Sequence, residues 1–390
     1  MNKPRRLVIW MSWLLLAAVV GLAAWTGSRP QEAPAAPQRQ SAPDLPSEGF
    51  ARAAGPWNFR FPRDDGPHPE FQTEWWYFTG NLSGAGGQAY GYQLTIFRRG
   101  LVPPAQAVPR PSSWAADQVY FAHFTLSDIT QGRFRYFEKF ERGAAGLAGA
   151  AGEPKFEVWL DNWSVRQQGE RTYRLEAQED GLRLALDLTD LKGVVLQGTN
   201  GLSAKGPQAG NASYYTSRTR LASAGVLEVD GVQTAVQGSS WMDHEFSTSA
   251  LEAGQVGWDW FALQLDDGAE LMAFTLRRAD GSHDAYSQAL LVRADGSTQT
   301  YTANQFTIQA SGKWKSPHTG AEYPNAWMVE IPQEGLSLTV RPRLADQELR
   351  VSVTYWEGAV TTSGSHQGKA VSGVGYVELT GYAGSMQERF

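Results

Sequence analysis

From residue 50 onward, apolar and polar positions alternate with a period of two or gather in short aromatic runs. Examples are "EWWYFTGNL" (74–82), "YGYQLTIF" (90–97), "VYFAHFTL" (119–126), "RFRYFEKF" (133–140) and "FEVWLDNWSV" (156–165). Later runs such as "LRLALDL", "DWFALQL", "ELMAFTL", "AWMVEI", "LSLTV" and "LRVSVTYW" continue the pattern. That periodicity, rich in β-branched and aromatic residues, predicts strands. Turn signals separate them: Glu179-Asp180-Gly181, Asp230-Gly231, Asp267-Gly268, Asp280-Gly281 and Asp295-Gly296 are pairs that suit tight hairpins. The glycine- and alanine-rich stretch "GAAGLAGAAGEP" (143–154) reads as a hairpin loop. So much antiparallel strand exceeds one small barrel. It divides more simply into two barrels or sandwiches, whose closure removes exposed edges. The segments "TEWWYFTGNLSG" and "WDWFALQLDDG" look loosely alike and suggest an internal duplication.

The N-terminus follows another pattern. Lys3, Arg5 and Arg6 precede the apolar run Leu7–Thr26, long enough to span a bilayer with its basic flank on the cytoplasmic side. Residues 1–27 therefore read as a transmembrane anchor or a signal peptide. The anchor is preferred, because a cleaved signal usually has a shorter apolar region. Either reading exports the rest, to a periplasmic or extracytoplasmic location tied to the inner membrane. Residues 28–49, rich in Pro, Ala and Gln, form an extended tether.

Composition narrows the function classes. The formal net charge is -6, which argues against nucleic acid as a partner. Cysteine is absent, which removes disulfides, thiolate nucleophiles and a lipid-modified cysteine anchor. The 15 Trp, 14 Tyr and 17 Phe suit large β-cores and pockets for greasy ligands. The six histidines are scattered without ligand spacing, so no metal is expected. No nucleophile elbow, P-loop or dinucleotide fingerprint occurs, and no cofactor is expected.

Chemistry concentrates in "SSWMDHEFS". On a strand, Trp241, Asp243 and Glu245 share one face, and Met242, His244 and Phe246 the other. Two carboxylates beneath a tryptophan, in an apolar cavity, raise one another's pKa and make a general acid. The opposite face places His244 either in a proton relay or as a hydrogen-bonded core histidine. The bland alternative for the whole run is a solvated strand end. Nearby, "GWDWF" puts Trp258 and Trp260 on one face and Asp259 on the other. In "EFQTEWWYFTG", Glu74, Trp76 and Phe78 share a face opposite Thr73, Trp75 and Tyr77. Glu74 is a second candidate acid, against the alternative of a pairing with Arg98 or Arg99. Towards the C-terminus, "TYWEGAV" adds Tyr355 and Trp356 as ligand contacts, and "GVGYVELTGY" adds Tyr376. In the latter, Glu378 lies with Tyr376, Thr380 and Tyr382 on what reads as an outward polar face.

Taken together, "TEWWYFTGNL", "GLSAKG" (201–206), "SSWMDHEFS" and "GYVELTGY" resemble the carotenoid 1,2-hydratase (hydroxyneurosporene synthase) family and its AttH-like secreted lipocalin relatives. The resemblance covers residues 55–385. It implies an all-β fold of two consecutive lipocalin-like antiparallel barrels, residues 50–245 and 246–390, with a site between them. It also implies cofactor-free hydration of a terminal double bond in an apolar isoprenoid. Asp243, Glu245 or Glu74 would supply the proton. Trp241, Trp258, Trp260, Trp75 and Trp76 would face the cation, each contact worth about 2 kcal/mol when desolvated, with Tyr77 among the ligand contacts. His244 or the second carboxylate would activate the water. Two other readings are a non-catalytic lipid carrier serving an ABC-type transporter, and a secreted hydrolase using the same carboxylates.

Overall fold

The alternating runs become strands, and two of them, Thr73–Gly84 and the second half of Val232–Ser247, bury both faces. In the computed structural model of the chain, residues 47–248 and 251–386 are described. The apolar run and most of the tether, residues 1–46, lie outside the described residues, within which no helix is long and apolar enough to cross a membrane. Helix is limited there to three single 3₁₀ turns.

The first sheet opens with a meander: β1 (Thr73–Gly84), β2 (Ala89–Gly100), β3 (Gln118–Asp128) and β4 (Arg133–Arg142). A second meander follows, of β5 (Ala148–Ala151), β6 (Glu157–Leu160), β7 (Trp163–Gly169), β8 (Thr172–Glu179) and β9 (Leu182–Asp190). Two short strands, β10 (Val195–Leu196) and β11 (Leu202–Ala204), precede the long hairpin of β12 (Ala212–Val229) and β13 (Val232–Ser247). β13 returns to pair with β1, giving the order β4-β3-β2-β1-β13-β12-β9-β8-β7-β6-β5, with β10 and β11 also on β12. The far ends meet: β5 and β6 touch β3, and β6 touches β4. The glycine-rich stretch at 143–154 is thus not all loop, since its Ala148–Ala151 pairs with β6 and helps to close the roll.

The second sheet repeats the plan. It starts with the meander β14 (Gln255–Leu265), β15 (Glu270–Arg278), β16 (Gln288–Val292) and β17 (Thr298–Thr302). After β18 (Thr307–Ala310), a separate hairpin of β19 (Lys313–Lys315) and β20 (Glu322–Pro324) leads to β21 (Trp327–Ile331) and β22 (Leu336–Pro342). β23 (Glu348–Arg350), β24 (Thr354–His366) and β25 (Lys369–Leu379) complete it. The order is β17-β16-β15-β14-β25-β24-β22-β21-β18, with β23 on β24. In each sheet the last strand pairs with the first. The two similar segments noted in the sequence are β1 and β14, which occupy this same position.

Alternation assigns the faces. Trp76, Phe78 and Leu82 of β1 point into the first barrel with Leu94, Phe124, Trp163 and Leu186. The second barrel is filled by Phe261, Leu263, Trp327, Leu338 and Trp356 among others. A third apolar cluster lies between the barrels, joining Tyr77, Tyr215 and Trp241 of the first sheet to Trp260, Met272, Phe274 and Tyr376 of the second. Polar contacts cross the same seam. Asn81 Nδ2 donates to the Gly375 carbonyl at 3.0 Å, and Gln264 Nε2 to the Thr219 and Ser240 carbonyls at 2.7 and 2.9 Å. The fully buried Glu270 carboxylate takes Lys192 at 2.6 Å and also Arg220.

Where the barrels come closest, a side chain has no room. A Cβ at Gly91 of β2 would stand 2.6 Å from the Ala359 Cβ and 2.7 Å from the Tyr376 hydroxyl. Gly91→Val is expected to pry the seam apart and cost about 1–3 kcal/mol of stability, read as a lowered urea midpoint. An unchanged midpoint would mean that the seam is loosely packed.

Candidate active site

The outer face of β13 carries Trp241, Asp243 and Glu245, as its alternation dictates. Register places Asp243 between Tyr77 of β1 and Ser217 of β12, and Glu245 between Trp75 and Tyr215. Asp243 and Glu245 face β14, β15 and β25 of the second sheet across a cavity of about 140 Å³, whereas Trp241, expected as a ligand contact, is packed into the seam and does not line it. Trp75, Tyr77, Asp243 and Glu245 line it from one side, and Trp258, Trp260, Phe274 and Glu378 from the other. The site therefore lies between the barrels and inside neither.

Asp243 is the best-held group in the wall. Its Oδ2 accepts from the Tyr215 hydroxyl at 2.7 Å, and its Oδ1 from Trp241 Nε1 at 2.7 Å and Ser217 Oγ at 2.5 Å. The outer links fix the direction of these bonds. Trp260 Nε1 donates to the Tyr215 oxygen at 3.0 Å, and Gln197 Nε2 to Ser217 Oγ at 2.8 Å, so both hydroxyl protons point at Asp243. Burial, with a smaller contribution from the charge of Glu245, pushes the Asp243 carboxyl up to about 7 against the pull of its three donors. Glu245 meets Lys205 at 3.5 Å, and the Lys205 ammonium lies 4.3 Å from the centre of the Phe274 ring.

Glu378 enters from the second barrel. Trp258 Nε1 donates to its Oε2 at 3.0 Å. Burial raises it to about 7 despite that bond, helped by the charges of Glu245 and Asp243. Behind Tyr77 stands a further carboxyl, Glu357, which accepts the Tyr77 hydroxyl proton and is raised well above the carboxylate range by burial and by Glu378. Sequence reading missed Glu378 because its face looked outward. It is outward from its own barrel, and that exterior is the floor of the cavity.

Several sequence candidates fall elsewhere. Glu74 and His244 lie on the inward faces of β1 and β13, away from the cavity. Glu74 Oε2 takes Arg98 Nε at 2.8 Å, while Oε1 takes His68 Nδ1 at 2.9 Å and His244 Nε2 at 2.8 Å. Although burial opposes ionisation, the Arg98 charge and the two imidazoles hold Glu74 well below the usual range. Glu74 is thus a structural carboxylate and not a raised-pKa acid, and Arg98 is the partner that the sequence offered as the alternative. His244 stacks on Trp76 at 5.1 Å as a core histidine. Trp76 fills the first barrel, and its Nε1 donates to the Asp65 carbonyl. Trp356 fills the second, donating to the Ala345 carbonyl. Tyr355 and Tyr376 belong to the seam rather than the cavity lining: the Tyr355 hydroxyl bonds Gln93 and His123, and Tyr376 packs at Gly91.

His68, Glu74 and His244 place donor atoms within 4.8 Å of one another, a set of metal-binding type. Three separate segments assemble it, so spacing in the sequence gives no sign of it. The distances are those of hydrogen bonds to one carboxylate, and an ion would sit beside the Arg98 guanidinium. The imidazole of His68 is moreover pushed up to about 9, its bonds to Asp64 and Glu74 overcoming burial, which favours a proton over an ion.

Known proteins share this architecture. A profile of the AttH-like family matches residues 52–382. The crystal structure of an AttH-like protein of Nitrosomonas europaea superposes with a TM-score of 0.75 at 35% identity, over 85% of this chain and 100% of the other. Kievitone hydratase of Nectria haematococca gives 0.65 at 16% identity over 86% of this chain and 97% of its own, a likeness of fold. The dehydratase asqC of Emericella nidulans is 26% identical over 147 residues, which span 36% of this chain and 41% of that relative.

The Asp243 carboxyl gives a stability signature. Its ordinary value is 3.8 and its folded value about 7, so between these pH values the native state keeps a proton that the unfolded state has lost. Stability from this group is therefore full below about pH 4 and falls as pH rises to 7, by roughly 4 kcal/mol in all. Asp243→Asn is expected to flatten that decline in urea unfolding between pH 4.5 and 8. An unchanged slope would place the carboxyl in an ordinary aqueous environment.

Proposed function

Because the chain belongs to the AttH-like family, we propose that the cavity between its barrels is a hydro-lyase site, adding water to, or removing it from, an apolar ligand. The observation that carries this reading is the Asp243 carboxyl. It titrates near neutrality on the wall of a cavity whose surface is mainly apolar and includes Trp75, Phe97, Trp258, Trp260 and Phe274. Protonating an isolated alkene requires a neutral carboxylic acid in a dry site, and water competes poorly there. Three donors already occupy lone pairs of Asp243, leaving about one of its roughly four acceptor directions for the transferable proton. The same donors stabilise the carboxylate left behind after transfer. Trp75, Trp258 and Trp260 line the cavity, and an indole ring whose face meets a carbocation favours it without supplying a nucleophile.

The fold is shared with a hydratase, and 147 residues are 26% identical to a dehydratase, which supports water addition or elimination as the reaction class. The ligand we favour is a linear isoprenoid or lipid bearing a trisubstituted double bond, as the mainly apolar surface of the cavity wall suggests. The apolar N-terminal run would hold the protein at the inner membrane outside the cytoplasm, where such ligands partition. In this scheme the proton comes from Asp243 and not from His244 or Glu74, which sit behind the sheet.

Incubation of the full-length protein with polyprenols and acyclic carotenoids in ¹⁸O-labelled water, read by mass spectrometry, tests the proposal. A product heavier by one labelled water is expected, with Asp243→Asn lowering its rate by about 10²–10⁴-fold while ligand binding persists. Retention of unchanged ligand with no labelled product would replace the hydro-lyase by a carrier.

A further inference from the structure

Water addition requires two proton transfers, one onto carbon and one off the attacking water. The first belongs to Asp243. We propose that Glu378, from the second barrel, is the catalytic base that takes the second proton; the assignment rests on the hydro-lyase reading.

Position selects it from the carboxylates at hand. Glu245 is two residues from Asp243 on the same strand face, about 7 Å along it, so it stands on the same side of any ligand. It is also engaged by Lys205 at the cavity wall. Glu357 lies behind Tyr77, whose hydroxyl it holds. His244 faces the barrel interior. Glu378 alone among these groups lines the cavity from the sheet opposite Asp243. It lines the cavity and is less completely enclosed than Asp243, so water in the cavity can reach it. One of its oxygens is clamped by Trp258 Nε1 at 3.0 Å, which leaves the other for water. A ligand in the cavity then has an acid on one side and a water-holding carboxylate on the other. The charges of Glu245 and Asp243 add to burial in raising Glu378, so Glu378 ionises more readily while Asp243 holds its proton.

The step balances. The Asp243 proton adds to the less substituted alkene carbon, the π bond breaks, and a tertiary cation forms opposite the rings. Water oxygen bonds to that cation, and its proton passes to the Glu378 carboxylate. The alcohol leaves with Asp243 ionised and Glu378 protonated, and exchange with solvent restores both. Dehydration runs the same steps backwards, with Glu378 as the acid.

Isotopes separate the two transfers. With farnesol as the probe in D₂O containing ¹⁸O label, proton transfer to and from carbon marks the recovered alkene with deuterium, and only water addition brings in ¹⁸O. Glu378→Gln is expected to keep deuterium exchange and lose ¹⁸O product by about 100-fold. Glu378→Asp, which keeps a carboxylate, is expected to recover part of it, and Asp243→Asn to lose both signals. Formation of ¹⁸O product by Glu378→Gln at the wild-type rate would overturn the assignment while leaving the hydro-lyase reading intact. Parallel loss of both isotopes in Glu378→Gln would also overturn it, reducing Glu378 to a support for the wall. A wild type that incorporates neither isotope would overturn both.

Discussion

Strands at the barrel junction have no solvent side, and the chemistry of the protein follows from that constraint. β1 and the second half of β13 are buried on both faces, with one face filling the first barrel and the other pressed against the second. In an ordinary antiparallel sheet the polar half of an alternating strand goes to water. Here that half is shut in, so each polar group must find a partner inside the seam or change its protonation state. Asp243, Glu357 and Glu378 are all raised for this reason.

The same two strands show both outcomes of burying a carboxyl. On the inward face, Glu74 meets the Arg98 guanidinium and two imidazoles and stays ionised. On the outward face of the same strand pair, three register positions along, Asp243 meets two hydroxyls and an indole. Such neutral donors stabilise a carboxylate less than a cation does, and burial prevails. The inward cluster gives the barrel end a fixed geometry, and the outward one keeps a proton available. A strand with period two can carry both because neighbouring side chains never share an environment.

Duplication of the fold supplies the second wall. Each barrel pairs its last strand with its first, and the two such pairs, β1–β13 and β14–β25, meet across the cavity. Acidic residues sit at the ends of both pairs, Asp243 and Glu245 on β13 and Glu378 on β25. Two sheets of the same plan, packed through their exteriors, thereby set carboxyls opposite each other with aromatic rings between them. Neither barrel forms such a site alone.

By itself the sequence determined the strands, their faces and the aromatic carboxylate run. Alternation and turn pairs are local properties, and Trp241, Asp243 and Glu245 share a face whatever lies above it. It also determined that Glu74 had either an apolar pocket or an arginine for company. Which of the two was decided only when β2 brought Arg98 beside it. The tertiary structure likewise decided which face of each strand was the barrel interior, because with rings on both faces of β1 the pattern is nearly symmetric. Glu378 is the sharpest case. Its position opposite the apolar Val377 and Leu379 says that it points away from a core. That the space it points into is another buried cavity depends on where the other barrel docks, some 130 residues away in the chain, and periodicity along a single strand holds no information about that distance.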